Sequence, residues 1–143
     1  MNKKGFSFVE LLGVIVILGI LALIATPIVT STIDDSRKSG FKSSLTGIKK
    51  AIETDYSEHK FDTSRKYKYE NKKLIETTSG EQIEISGHIS SGKGKGSINS
   101  SGVVKFGAYT DKYCGIINGN ETKLAGEGSY TFEQCKSEVD SIN

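Results

Sequence analysis

Between Phe6 and Val29 the chain is almost wholly apolar, and one carboxylate, Glu10, stands inside that run. From Leu11 to Ala25 every residue is apolar or glycine. As a helix, Phe6 to Ala25 would extend about 30 Å, the thickness of a bilayer's hydrocarbon core. Such a segment cannot serve as the wetted surface of a domain. A charge within it costs about 2.5 to 3.5 kcal/mol on insertion scales, so Glu10 either meets a positive partner or snorkels to the interface from the end of the span.

The residues before the run separate two origins for it. A secretory signal keeps its apolar core free of charge and ends at a small-residue cleavage site. Here Lys3, Lys4 and Gly5 are followed by Phe6-Ser7-Phe8-Val9-Glu10-Leu11-Leu12, with a charge early in the run and a helical pattern continuing past it. This arrangement resembles the class III leader of type IV prepilins and pseudopilins, whose usual motif is Gly-Phe-Thr-Leu-(Ile/Val)-Glu. The resemblance implies cleavage by a prepilin peptidase/methyltransferase between Gly5 and Phe6 and N-methylation of the new Phe6 terminus. It also implies assembly through Glu10, neutralised by the Phe6 amine of a neighbouring subunit. In low dielectric that pair attracts strongly, and either member alone is costly.

The chain has 143 residues, with 19 basic and 17 acidic side chains. Losing Lys3 and Lys4 with the leader balances the charges, which leaves no global basic field to recruit nucleic acid. Those two lysines favour a cytoplasmic N-terminus, with everything after Val29 outside. Since the apolar quarter is spent on the membrane, the remainder can build only one small core. The expected divisions are a leader over residues 1–5, a transmembrane or filament-core segment over 6–29, and a head over 30–143. An amphipathic helix half is expected over about 30–58 and a β-sheet region over about 61–143.

Phe41, Leu45, Ile48, Ile52 and Tyr56 recur at helical spacing, while Asp34, Asp35, Lys38, Lys42, Lys49, Lys50 and Glu53 fall on other faces. That is an amphipathic helix with one buried stripe. Pro27 removes a backbone donor and is expected to kink or locally interrupt the helix. Gly13 and Gly19 add flexibility or allow close helix packing. The family resemblance further implies that Gly19 to Pro27 can lose helicity in a filament.

Helical signals fade near Glu58 and His59. Strands are expected at Gln82–Ile85, Lys95–Asn99, Val103–Thr110, Tyr113–Asn118 and Thr122–Ala125, turning at Ser100-Ser101-Gly102, Thr110-Asp111-Lys112 and Asn118-Gly119-Asn120. They suggest an antiparallel meander of three or four strands over the helical stripe, burying Ile98, Val104, Phe106 and either Ile116 or Ile117. Lys60 to Ser79 reads as a loop with one or two strands. The fold class is therefore α+β and pilin-like: a long N-terminal helix, transmembrane then amphipathic, on a small antiparallel sheet. Cys114 and Cys135 lie in the exported region, where they form either a structural disulfide or two buried thiols. The resemblance favours the disulfide, as a staple of the C-terminal segment. Thr131 and Gln134 have capping-box spacing before a short terminal helix.

Catalytic patterns are scarce. His59 and His88 are distant in sequence and show no metal-ligand spacing with the cysteines, so both read as surface or loop residues. Gly87-His88-Ile89-Ser90-Ser91-Gly92-Lys93-Gly94 follows phosphate-loop spacing until Gly94 replaces the required hydroxyl, and no parallel α/β unit surrounds it. Gly92 to Gly96 reads as a mobile turn. Lys60, Arg65, Lys66, Lys68, Lys72 and Lys73 interleave with Phe61, Tyr67 and Tyr69, a combination that can hold single-stranded nucleic acid. Asp62 and Glu70 break that run, and a solvated face is the default. Asn99-Ser100-Ser101 and Asn120-Glu121-Thr122 match glycosylation acceptors.

The expected function is a non-enzymatic structural subunit of a type IV pilus or pilus-like filament, without cofactor or metal. Its partners would be other copies of itself, other pilins, the prepilin peptidase/methyltransferase and the membrane assembly machinery. Nucleic acid remains a minor branch. The first alternative is a minor pilin or pseudopilin of a type II secretion or DNA-uptake system. An alternative of another class is a monomeric membrane-anchored surface-binding protein.

Overall fold

The computed structural model describes residues 5–143, so the leader lysines Lys3 and Lys4 lie outside the described residues. Helix α1 spans Phe8–Glu58. Seven strands follow, β1 Lys66–Glu70, β2 Lys73–Glu76, β3 Gln82–Ile83, β4 Lys93–Ile98, β5 Val104–Tyr109, β6 Cys114–Asn118 and β7 Glu121–Leu124, and helix α2 spans Phe132–Asp140. The chain divides into two compact units, residues 1–37 and 38–143.

In the first unit every described residue from Gly5 to Ile33 is exposed. Helical assignment runs through Pro27 without a break, so the proline does not end the helix. Hydroxyls around the proline turn back onto the helix: Thr26 donates to the Ala22 carbonyl at 2.6 Å, Thr30 to the Pro27 carbonyl at 3.0 Å and Thr32 to the Ile28 carbonyl at 2.9 Å. Polar side chains that satisfy themselves in this way fit an apolar medium.

The second unit is a single antiparallel sheet in the order β3-β2-β1-β4-β5-β6-β7. Phe41, Leu45, Ile48 and Ile52 of α1 are buried in one cluster with Tyr67, Tyr69, Leu74, Ile98, Val104, Phe106, Ile117 and Leu124 of the sheet, and Tyr56 packs partly buried at its rim. The helical stripe thus lies where its periodicity put it.

The sheet is wider than the expected meander of three or four: its seven strands are the five candidates together with two from the Lys60 to Ser79 stretch, the upper end of the one or two expected there. Lys-Tyr-Lys-Tyr-Glu alternates strictly, burying Tyr67 and Tyr69 and turning the lysines outward. That period of two makes β1 an inner strand. Gly92 to Gly96 is likewise not a mobile turn, since residues from Lys93 onward form β4, paired on both sides by β1 and β5. Here glycine serves proximity: a Cβ on Gly96 would stand 2.9 Å from Ile52 Cδ1 and 3.1 Å from the Phe106 ring. The sheet can approach α1 only where no side chain intervenes.

The two isoleucines of β6 divide between faces. Ile117 joins the core under α1, whereas Ile116 joins a second small core with Cys114, Cys135 and Val139 under α2. Cys114 and Cys135 are disulfide-bonded, with Cα atoms 6.1 Å apart. Closing a loop of that length stabilises the fold by about 3 kcal/mol in the chain-entropy account.

Candidate functional site: the N-terminal segment and its supporting head

Helix α1 begins at Phe8, which makes Ser7 its N-cap. The Ser7 carbonyl accepts the first helical bond, from Leu11 N–H at 3.1 Å. The Glu10 carboxylate turns back and accepts the Ser7 N–H at 2.8 Å. Ser7-Phe8-Val9-Glu10 therefore supplies the carboxylate arm of a capping box. Sequence reading missed Ser7, although Ser-x-x-Glu ahead of an apolar run is the recognisable signal.

The geometry gives Glu10 one neutral donor and no cation among the described residues. Around it Phe6, Phe8, Val9, Leu11 and Leu12 are all exposed. α1 is long and apolar enough to cross a membrane. A carboxylate carrying one backbone donor at the tip of an apolar helix retains capacity for a charge-assisted bond to an amine.

In the head, polar groups are spent on holding the fold. Asp55, 5% exposed, accepts Arg65 Nε at 2.8 Å, Arg65 Nη2 at 3.1 Å and the Tyr67 hydroxyl at 2.7 Å. This fastens the last turns of α1 to the start of β1. Burial opposes the Arg65 charge, but hydrogen bonds to Asp55 and Glu81 outweigh it and raise the guanidinium's pKa. Burial, reinforced by the Asp55 carboxylate, also raises the Tyr67 phenol. Glu76 is buried at a tight turn; burial would raise its pKa, yet the N–H groups of Ser79 and Thr78 and the Ser79 hydroxyl bring it down to about 2.

Of the two histidines, His59 joins that network and His88 does not. His59 Nδ1 lies 3.2 Å from Asp55 Oδ1, and Nε2 lies 3.8 Å from Glu81 Oε2. Ligand-type atoms of Asp55, His59 and Glu81 fall within 4.8 Å of one another. Arg65 already supplies the cation to both carboxylates, which makes the group an ion-pair cluster. His88 stands beside Ser44, whose hydroxyl reaches its carbonyl at 3.4 Å. Eleven residues of α1 separate Ser44 from Asp55, about 16 Å along the axis.

The other sequence motifs resolve structurally. The phosphate-loop-like segment presents Ile89 to Tyr69, whose hydroxyl accepts Ile89 N–H at 2.9 Å and donates to the Ile89 carbonyl at 3.2 Å. It leads into an antiparallel strand rather than a helix. Tyr67 and Tyr69, 2% and 0% exposed, offer no stacking surface, which leaves Phe61, exposed and edge-on to Tyr56, as the one accessible aromatic of the expected single-strand site. Asn99 accepts N–H groups of Ser101 and Val103 at 3.0 and 2.9 Å, forming the β4–β5 turn.

Residues 1–26 match the family described as the prokaryotic N-terminal methylation motif. The matched stretch contains Gly5, Phe6 and Glu10 and ends one residue before Pro27. The chain thus opens with a type IV prepilin-type class III leader. That motif supports a type IV pilin- or pseudopilin-like secreted protein, the apolar N-terminal helix fits a membrane-anchored precursor, and the motif implies processing by a prepilin peptidase and pilin-type assembly. Neither a curated protein nor a solved structure matches the chain significantly.

Proposed function

We propose that this protein is a structural subunit of a type IV pilus or pilus-like filament. It is cleaved after Gly5, N-methylated at Phe6 and polymerised through the apolar part of α1. The observation carrying this reading is the matched leader motif with Glu10 inside an otherwise apolar, fully exposed helix. A carboxylate so placed is costly alone and favours a cationic partner. The Phe6 amine is released one helical turn away from it and is equally available to the Glu10 of another copy. A filament subunit needs no catalytic group, and the proposed role is non-enzymatic, without resident cofactor or metal. Incorporation as a minor pilin or pseudopilin is the finer alternative, since the leader is common to all these subunits.

The test is mass spectrometry of the chain purified from its producing cell, followed by its quantitation in sheared surface filaments. A methylated Phe6 terminus together with abundant chain in the filaments is the expected result. A chain that begins with Met1 and stays monomeric in the membrane would identify a membrane-anchored binding protein instead. A processed chain at trace level in the filaments would make it a minor subunit.

A further inference from the structure

Strand alternation places Lys66, Lys68 and Glu70 of β1, Lys73 of β2, and Lys93 and Lys95 of β4 on the face of the sheet turned away from α1. Helix α2 covers that face over β5 and β6 and reaches only as far as β4. Lys66, Lys68 and Lys73 therefore stand on the uncovered half, and Lys93 and Lys95 at its border with α2. Lys68 lies directly opposite Lys95 in the β1–β4 register. Like charges so paired destabilise a sheet, so folding does not account for this arrangement. Glu70 pairs with two of them, 2.7 Å from Lys68 and 3.8 Å from Lys93, and Asp140 of α2 borders the group. Between them is a groove of about 190 Å³ lined by Lys68, Glu70, Lys93, Lys95, Tyr109 and Asp140, where Lys95 Nζ donates to the Asp140 carbonyl at 2.7 Å.

We propose that this lysine face binds the phosphate backbone of double-stranded nucleic acid. Lysines two residues apart on a strand repeat at about 6.6 Å, and the next strand lies about 4.8 Å away, giving a flat grid of cations suited to a row of phosphates. Single strands are disfavoured because the aromatics of these strands offer the face little to stack on: Tyr67 and Tyr69 point into the core, and Lys136 lies 5.4 Å over the Tyr109 ring. Contact is limited to phosphates, which carry no sequence information and make binding steeply salt-dependent. An anionic membrane is the competing surface. The cations nearest the membrane segment in sequence, Arg37 and Lys38, are on α1 and not on this face. The inference does not depend on filament formation.

The test is fluorescence anisotropy of a labelled mixed-sequence duplex of about 20 base pairs with the full processed chain in neutral detergent micelles, over a range of salt. Five lysines partly offset by Glu70 predict a slope of log affinity on log salt of about −3 to −4, equal for two unrelated sequences. Lys68→Gln/Lys95→Gln should make the slope shallower by about 2 and weaken binding at least about tenfold, and Lys93→Gln alone should flatten it by about 1. Lys42→Gln/Lys50→Gln on α1 should change neither. Should the double variant fold poorly, Lys93→Gln alone carries the test. Absence of binding at about 50 mM salt, or a slope indifferent to Lys68, Lys95 and Lys93, overturns the proposal. So does tighter binding to phosphatidylglycerol vesicles that the same substitutions abolish, since that assigns the face to lipid.

Discussion

Leu11 to Val29 and Phe41 to Ile52 belong to one helix, yet their apolar residues are treated oppositely. The first stretch is apolar on every side and fully exposed, whereas the second confines its apolar residues to one stripe and buries them. Apolar surface without an internal partner must find an external one, either lipid tails or other helices of its kind. The head, by contrast, closes its own core and leaves no buried side-chain donor or acceptor unsatisfied among the described residues. Assembly and stability should therefore be separable by mutation, the first resting on the N-terminal segment and the second on the head.

The most severe test of that separation is Glu10→Ala. Losing a low-dielectric ion pair worth about 3 kcal/mol should cut filament yield by about a hundredfold or more, while membrane insertion becomes if anything easier. The head's thermal unfolding should not change. Normal filaments from this variant would remove Glu10 from the assembly step, and a lowered melting temperature would show that the two regions are not independent.

The converse substitution is Asp55→Ala, which strands Arg65 and the Tyr67 hydroxyl in a nearly dry site. Removing one partner of a buried pair costs about 3 to 5 kcal/mol, so urea unfolding of the head should shift strongly while processing to Phe6 continues. An effect below about 1 kcal/mol would mean that the pair is solvated and worth no more than a surface bridge. Such a result would move the anchoring of α1 onto the apolar stripe alone.

These two residues also differ in how far the sequence reveals them. Glu10 is conspicuous because a membrane-length run has no other charge, and the stripe from Phe41 to Tyr56 is visible in its period; both signals are local. Asp55 looks like any exposed helical acid until the fold brings Arg65 and Tyr67 to it. β1 was available in the alternation of Lys66 to Glu70, but the same residues also make a basic-aromatic patch. Only knowing which side is buried decides between them. Gly94 and Gly96 suggested a turn because glycine usually marks one; their actual role depends on Ile52 and Phe106, both distant in sequence. β2 could not be placed within its loop for the same reason, since it is short and gains its identity from its neighbours. The covering of the sheet's second face by α2 was signalled only by Thr131, Gln134 and two cysteines.

Acid should separate the regions again, with a smaller and graded effect. Glu76 has its pKa depressed to about 2 in the folded head, so it binds its proton more weakly there than in the unfolded chain. Its stabilisation is complete above the ordinary carboxylate pKa near 4.5 and is lost as pH falls from there towards 2. It amounts to about 3 kcal/mol at neutral pH. Glu76→Gln should flatten that part of the head's stability profile, read by near-ultraviolet circular dichroism across the range. An unaltered profile would place the acid sensitivity in other carboxylates.

The smallest effect sharpens the comparison inside the head itself. α2 has nine residues, too few to be helical alone, so it depends on its cap and on what it covers. Thr131 accepts Gln134 N–H at 3.3 Å, and the Gln134 side chain returns to Thr131 N–H at 2.9 Å, a complete capping box. Among the described residues α1 opens with only the carboxylate arm of such a box, that of Glu10. The difference suits their tasks: α2 must stay where Cys135 and Val139 close the second core, whereas the Glu10 carboxylate must remain able to exchange its partner. Thr131→Ala should cost about 1 kcal/mol, seen as faster amide exchange in the first turn of α2, while the disulfide holds the rest of the helix in place. In the Cys114→Ser/Cys135→Ser background the same change should spread exchange through all of α2. If the two backgrounds respond alike, the cap and the disulfide act on the helix independently.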